Sequence, residues 1–122
     1  MTMREARMEK DVLFLLAPGF EDGPGTSWFC PYCIKVEGLL ACFPAVAECV
    51  EVRRIGFAKP RRELVALLGE QAQACPVIVL ADAHAAHPAA RRSTATGRAY
   101  IADSDAILAY LAESCGTPRP HF

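Results

Sequence analysis

The sequence predicts an α/β fold with the element order β-α-β-α-β-β-α and a four-stranded mixed sheet. Short apolar runs alternate with segments whose apolar residues recur at helical spacing, and Gly or Pro separates them. Apolar residues make up 52% of the 122-residue chain and charged residues 22%, which is typical of a globular domain with a buried core. We therefore expect one domain over residues 1–122.

The first elements follow a polar segment, residues 1–10, which we expect to be a mobile lead-in. Residues 12–17 are apolar and predict a buried strand, and residues 18–29 are rich in Gly and Pro and predict a loop. A helix is expected over residues 31–43, because Pro suits the first helical turn and another Pro follows its end. Gly38 lies inside this helix and is expected to allow close packing on a strand. The apolar positions of the helix are Ile34, Leu39, Leu40 and Phe43.

The middle of the chain predicts a second strand over residues 48–55 and a second helix over residues 60–68, with Gly69 as its C-cap. A short β-branched run at residues 77–81 predicts a buried third strand. The first two strands flank a helix, so we expect them to be parallel.

The last part of the chain predicts a loop over residues 82–97, a strand over residues 98–102 and a final helix. Asp103 and Ser104 are both good N-caps for that helix, and Gly116 ends it. A loop alone joins the third and fourth strands, so we expect them to be antiparallel.

Charge and hydropathy exclude some functions and indicate a compartment. The net charge is −1, which gives no electrostatic case for binding nucleic acid, and no apolar run is long enough to span a membrane. Residues 1–11 lack the apolar core of a signal peptide, so we expect a cytoplasmic protein with reduced thiols. The six cysteines are then not a disulfide framework, and no permanently bound cofactor or oligomeric state is indicated. Three cysteines outside any motif are expected to be packing residues: Cys42, Cys49 and Cys115.

The motif Cys30-Pro31-Tyr32-Cys33 carries the strongest chemical information. Two cysteines at the start of a helix favour thiol–disulfide chemistry, because unpaired N–H groups and the helix dipole stabilise a thiolate on the first one. Half of a structural zinc site is the alternative. The sequence contains no second CxxC, and the spacing of His84 and His87 falls in a predicted loop.

Three segments make the chain resemble the glutaredoxins and the wider thioredoxin-fold superfamily. They are the CPYC motif at residues 30–33, the Cys75-Pro76 pair before the third strand, and the Asp103-Ser104 pair that starts the last helix. The last segment is similar to the N-terminal domain of glutathione transferases. In detail the chain most resembles an uncharacterised bacterial thioredoxin-fold family of unknown function.

The resemblance implies a thioredoxin-like fold and a thiol–disulfide oxidoreductase in which Cys30 is the nucleophile and Cys33 resolves mixed disulfides. Glutathione is implied as co-substrate beside a thiol or disulfide substrate. The resemblance also implies that Pro76 is cis. The residues implied to bind substrate or glutathione are Tyr32, Cys75, Pro76, Asp103 and Ser104.

Several alternatives remain open from the sequence. The fold can serve as a non-catalytic binding module for a thiol ligand or a protein, or bind Zn or an Fe–S centre through Cys30, Cys33 and Cys75. N-capping alone explains the Asp103-Ser104 pair. Arg61 and Arg62 either reach the glycine carboxylate of glutathione or form a solvated face.

Overall fold

The structure is a computed structural model and describes residues 8–122. Within that range the strands are β1 (Val12–Leu16), β2 (Phe20–Glu21), β3 (Ser27–Trp28), β4 (Glu51–Ile55), β5 (Val77–Val79), β6 (Arg91–Arg92) and β7 (Ala99–Ile101). The helices are α1 (Pro31–Cys42), α2 (Val46–Cys49), α3 (Arg62–Leu68) and α4 (Ser104–Cys115), with a 3₁₀ turn at Asp82–His84. Residues 1–7 of the predicted lead-in lie outside the described residues. Met8 accepts a hydrogen bond from the Asp82 N–H, and the Met8 N–H donates to the Asp82 carboxylate.

The described residues form a mixed sheet in the order β4-β1-β5-β7-β6, which is compatible with a thioredoxin-like α/β fold. Strands β1 and β4 are parallel, and β5 and β7 are antiparallel, as predicted. This sheet has five strands rather than the predicted four, because two residues inside the predicted loop 82–97 pair with β7 as β6. Among the described helices, none has the length and hydropathy needed to cross a membrane.

Two further local elements were not predicted, because they have too few residues to show the periodicity of a strand or a helix. The predicted loop 18–29 contains the antiparallel pair β2–β3. The start of the predicted strand 48–55 belongs to helix α2, and β4 begins only at Glu51.

The core lies on both faces of the sheet, and strand β1 shows why its sequence is apolar throughout. Leu13 and Leu15 pack in a cluster with α1 and α4, whereas Val12 and Phe14 pack in a second cluster with α3. Successive side chains of a strand point to opposite faces, so a strand covered on both sides is buried at every position.

The buried face of α1 differs from the predicted one. Cys33, Val36 and Leu40 are buried, while Ile34 and Phe43 are exposed. The buried three fall three and four residues apart and so share one side of the helix. The expectation that Gly38 allows close packing was wrong, because a Cβ added there would meet nothing within 4 Å.

Replacing Gly38 with Ala should therefore stabilise the protein. Ala in an exposed helix interior restricts the unfolded chain and favours the helix by about 0.5–1 kcal/mol. Chemical denaturation measures the gain. Gly69→Ala is the matched control and should lose stability, because Gly69 caps α3 at φ +94° and its added Cβ would lie 2.6 Å from the Cβ of Ala95. A loss of stability in Gly38→Ala would contradict the prediction.

The expectation that Cys42, Cys49 and Cys115 are packing residues was wrong. Cys49 at the end of α2 and Cys115 at the end of α4 form a disulfide with a Cα–Cα distance of 5.9 Å. Cys42, the last residue of α1, is exposed. The 66 residues that separate Cys49 from Cys115 leave no local signal of their pairing in the sequence.

Candidate functional site

Cys30 is the N-cap of α1 and has extended backbone angles. Its Sγ accepts a hydrogen bond from the backbone N–H of Cys33 at 3.2 Å. Pro31 follows at the first helical position, where its missing N–H leaves nothing unsatisfied. The Cys30 sulfur is half-buried, and the free N–H groups of the first helical turn favour a negative charge on it.

Cys33 lies in the same helix but in a different environment. Its side chain is 1% exposed, and its Sγ accepts a hydrogen bond from the backbone N–H of Leu16 at 3.4 Å. The pKa of Cys33 is raised to about 12, chiefly by burial; the Leu16 N–H acts in the opposite direction, and the neighbouring sulfur of Cys30 contributes to the rise. Cys33 is therefore a protonated thiol at neutral pH, as a residue that acts after Cys30 should be.

Cys75 and Pro76 lie beside Cys30, as the resemblance implied. The Cys75–Pro76 peptide bond is cis, and the Cys30 thiol lies 3.9 Å from the Cys75 carbonyl oxygen. Cys75 is half-buried, and burial raises its pKa to about 11, while the positive charge of Arg61 lowers it. The backbone of Cys75 thus lies next to the Cys30 sulfur, and the Cys75 thiol stays protonated at neutral pH.

Arg61 is buried, so the prediction that it forms part of a solvated face was wrong, and its contact with glutathione stays a prediction. It is 9% exposed, and its guanidinium donates to the carbonyl oxygens of Phe57 and Gln73 at 2.7–2.9 Å. The same group lies over the Phe57 ring, 5.4 Å from its centroid. Arg62 is exposed. Nothing in the sequence distinguishes the two arginines, because burial of one is decided by the loops that surround it.

An aromatic stack connects the Arg61 region to the segment before the CPYC motif. Phe20 of β2 stacks on Phe57 with ring centroids 4.4 Å apart and an interplanar angle of 2°. Phe20 pairs in turn with Trp28 in the β2–β3 ladder, two residues before Cys30. Arg61, Phe57 and the hairpin therefore hold both the CPYC segment and the Cys75 segment in place.

An exposed aromatic rim surrounds the motif. Its members Trp28, Phe29 and Tyr32 are 49%, 57% and 61% exposed, respectively. Tyr32 is accordingly available to a substrate. Large exposed aromatics beside a half-buried thiol are suited to contact an apolar group carried by that substrate.

The first turn of α4 lies beside the N-terminal half of α1, since Lys35 in the second turn of α1 forms an ion pair with Asp105. Asp103 is the N-cap and its Oδ2 accepts from the N–H of Ala106 at 2.9 Å, which confirms the capping role. Ser104 is buried. Asp103 is exposed, so its carboxylate remains reachable from solvent at the end of the sheet where the CPYC motif lies.

Within residues 8–122, no group of three or more His, Cys, Asp or Glu side chains is arranged to bind a metal ion. His84 and His87 have other partners. The Nδ1 of His84 lies 2.9 Å from Asp11, and the Nε2 of His87 lies 2.9 Å from Glu113. Metal binding by Cys30, Cys33 and Cys75 stays a prediction that the redox measurement below tests.

Sequence reasoning missed a polar cluster around Asp11, the buried residue before β1. Its carboxylate accepts hydrogen bonds from the backbone of Ala81, from His84 and from the hydroxyl of Tyr110. Burial and the Asp11 contact raise the pKa of Tyr110 well above its ordinary value. A tyrosine on the apolar face of a helix is a signal for such a partner. A cavity of about 400 Å³ beside the cluster is lined by none of the CPYC residues.

Comparison with known proteins places the chain in one family. No curated protein and no solved structure matches it. Residues 10–119 match the family described as "Protein of unknown function (DUF3088)". That match spans β1 to the end of α4 and includes the CPYC motif, Cys75, Pro76 and the Asp103-Ser104 pair. The chain therefore belongs to the DUF3088 family, whose function is unknown.

Proposed function

We propose that this protein is a glutaredoxin-like thiol–disulfide oxidoreductase whose nucleophile is Cys30. One observation carries the proposal. The half-buried Cys30 sulfur occupies the N-cap of α1 and accepts the Cys33 N–H, while burial holds Cys33 and Cys75 as thiols. The three sulfurs thus have different environments, and the half-buried sulfur at the helix N-terminus is the one placed to react as a thiolate.

In the first step the Cys30 thiolate attacks one sulfur of a substrate disulfide. A Cys30–substrate disulfide forms, the original S–S bond breaks, and the departing thiolate takes a proton from water. In the second step Cys33 loses its proton and attacks the Cys30 sulfur, which releases the second substrate thiol and leaves a Cys30–Cys33 disulfide. Two electrons have then passed from the protein to the substrate.

Glutathione is the reductant that this arrangement favours. Burial raises the pKa of Cys33 to about 12, so its attack needs a base and is slow at neutral pH. A free thiol that attacks the Cys30 mixed disulfide avoids this step, and a second equivalent completes the two-electron reduction. We accordingly assign the protein to the cytoplasm, where glutathione is kept reduced, and the Cys49–Cys115 disulfide departs from the reduced thiols that the sequence predicted.

The reduction potential of the Cys30–Cys33 pair tests the proposal. A glutaredoxin-like pair equilibrates with glutathione at about −200 to −230 mV. Metal content is assayed on the same sample. A measurable dithiol couple in a metal-free protein supports the oxidoreductase. Stoichiometric Zn or iron with no dithiol couple would identify a metal-binding protein instead. A protein with neither a dithiol couple nor a bound metal would fit the non-catalytic binding module.

Recognition of glutathione should depend on the start of α4. Replacing Asp103 and Ser104 together with Ala removes the exposed carboxylate and the hydroxyl beside it, so turnover of glutathione mixed disulfides should weaken. The Cys30–Cys33 disulfide should still form. The lost cap costs about 0.5–2 kcal/mol, so folding is checked by circular dichroism.

Asp105→Asn is the matched control, because it removes a carboxylate from the same turn but leaves the N-cap in place. It should retain turnover of glutathione mixed disulfides. Unchanged glutathione kinetics in the folded Asp103→Ala, Ser104→Ala variant would exclude this binding site.

A further inference from the structure

We propose that the Cys30–Cys33 disulfide of one copy oxidises the Cys49–Cys115 pair of a second copy, so that the protein forms its own α2–α4 disulfide. This inference rests on the proposed function, because it requires a Cys30–Cys33 pair that exchanges disulfides. It names the Cys49–Cys115 pair as a second redox site and a second copy of this chain as its partner.

The distance between the pairs requires the transfer to be intermolecular. Cys30 caps the N-terminus of α1, whose 12 residues span about 18 Å at 1.5 Å each. The Lys35–Asp105 ion pair aligns the N-terminal turns of α1 and α4, whereas Cys49 and Cys115 lie beyond their C-terminal halves. The sulfurs of the two pairs therefore lie at opposite ends of the helices and cannot meet within one molecule.

The direction of transfer follows from the two ends of the helices. In the reduced pair the Cys30 Sγ accepts the Cys33 N–H at the N-terminus of α1, and this contact favours the reduced pair and makes its disulfide the stronger oxidant. Cys115 is the last residue of the 12-residue helix α4, where the dipole and free carbonyl groups disfavour a negative charge on its sulfur. Glu48 and Glu113 add negative charge nearby in the chain.

The fold also favours the oxidised, disulfide-bonded form of the Cys49–Cys115 pair. It holds the Cα atoms of Cys49 and Cys115 at 5.9 Å, within the range of an ordinary disulfide. Cys49 is exposed and can reach a second molecule, and the aromatic rim leaves Cys30 half-exposed in a surface that another protein can approach. Electrons should therefore flow from the Cys49–Cys115 dithiol to the Cys30–Cys33 disulfide.

The transfer balances without a further reagent. Cys49 of the second copy loses its proton and attacks the sulfur of Cys30, which breaks the Cys30–Cys33 bond and returns a proton to Cys33. Cys115 then loses its proton and attacks Cys49, which closes the Cys49–Cys115 disulfide and releases Cys30 as a thiolate. Two electrons and one proton move from one copy to the other, the proton of Cys115 goes to water, and glutathione disulfide re-oxidises Cys30 and Cys33.

Two variants of the full chain test the transfer. The donor is Cys49→Ser, Cys115→Ser with its Cys30–Cys33 disulfide formed by glutathione disulfide, and the acceptor is reduced Cys30→Ser, Cys33→Ser. Equal amounts are mixed, quenched with acid, alkylated and weighed by mass spectrometry. We expect the donor to gain two free thiols and the acceptor to lose two. The equilibrium should favour the oxidised acceptor at least about tenfold, equivalent to about 30 mV.

Wild-type protein gives a second measurement in case the donor does not fold. Reduced wild type is treated with limiting glutathione disulfide, and the disulfides are mapped over time. Cys30–Cys33 should form first, and Cys49–Cys115 should then form at a rate that rises with protein concentration. In Cys30→Ser the second disulfide should form about tenfold more slowly.

The outcomes separate this inference from the proposed function. A donor whose Cys30–Cys33 disulfide is reduced by glutathione, yet does not oxidise the acceptor, overturns the inference alone. So does equal oxidation of Cys49–Cys115 in wild type and Cys30→Ser. A Cys30–Cys33 pair that neither forms a disulfide nor exchanges with glutathione removes both proposals.

Discussion

Cys30→Ser should abolish disulfide exchange, with turnover of glutathione mixed disulfides at least about 10³-fold lower. A serine hydroxyl keeps its proton at neutral pH and is a far weaker nucleophile than a thiolate. The stability of the fold should change little, because Ser is among the preferred N-caps and can accept the Cys33 N–H in place of sulfur. The effect should therefore fall on the turnover rate and not on the unfolding midpoint.

Cys33→Ser should behave differently. The nucleophile remains, so glutathione-dependent turnover should persist, whereas reduction of substrates that needs a Cys30–Cys33 disulfide should be lost. In this variant the Cys30 mixed disulfide with substrate should accumulate, and mass spectrometry of the acid-quenched protein detects it.

The buried thiol of Cys33 also predicts that its alkylation depends on pH. In Cys30→Ser, alkylation of Cys33 should stay slow near pH 7 and become faster as the pH rises, because burial, the largest cause of the raised Cys33 pKa, remains in this variant.

Cys42→Ser is the matched control for both variants, because Cys42 is an exposed cysteine on the same helix at its opposite end. It should leave turnover unchanged. Full turnover by Cys30→Ser, or loss of turnover in Cys42→Ser, would show that Cys30 is not the nucleophile.

Removing the Cys49–Cys115 disulfide should lower the free energy of unfolding more than any other substitution proposed for this protein. The bond closes a loop of 66 residues and so restricts the unfolded chain. Without it the unfolded chain gains entropy, and the free energy of unfolding falls by about 4 kcal/mol. Chemical denaturation of Cys49→Ser, Cys115→Ser beside wild type, with no reductant present, measures this difference. The expected result is a lower midpoint in the variant.

The same comparison in the presence of a reducing agent separates the bond from the side chains. Reduced wild type and the double variant should then unfold at similar denaturant concentrations, because both lack the cross-link. Equal unfolding midpoints of oxidised wild type and the double variant would contradict a stabilising role for the disulfide. Native and reduced wild type are also alkylated and weighed, and equal masses would show that the native protein contains no disulfide.

The layered fold and the CPYC site were predictable because their signals are local. An uninterrupted apolar run predicted β1, and a β-branched run predicted β5. The position of Cys30 and Cys33 followed from Pro31 at the first helical turn and helical spacing behind it. Such signals survive because neighbouring residues share one backbone period, whichever tertiary partners they meet.

The elements that the sequence did not reveal are set by partners far away in the chain. Strands β2, β3 and β6 have two residues each, too few to show a period, and they exist only because another strand pairs with them. The buried face of α1 was predicted only in part, with Leu39 and Leu40 on the core and Ile34 and Phe43 exposed, for a related reason. Exposed Ile34 and buried Val36 are equally apolar, and the packing of α4 and the sheet decides between them.

The sequence by itself determined the order of the main elements, the parallel β1–β4 pair, the antiparallel β5–β7 pair and the place of Cys30 at a helix N-terminus. Only the tertiary structure decided which cysteines meet. It brought Cys75 to Cys30, joined Cys49 to Cys115 and buried Arg61 between two loops. The physical reason is the sequence separation over which each interaction acts. Hydrophobic periodicity and helix capping involve residues a few positions apart. A disulfide, a buried charge and a thiol pKa raised by burial depend on residues that only folding brings together.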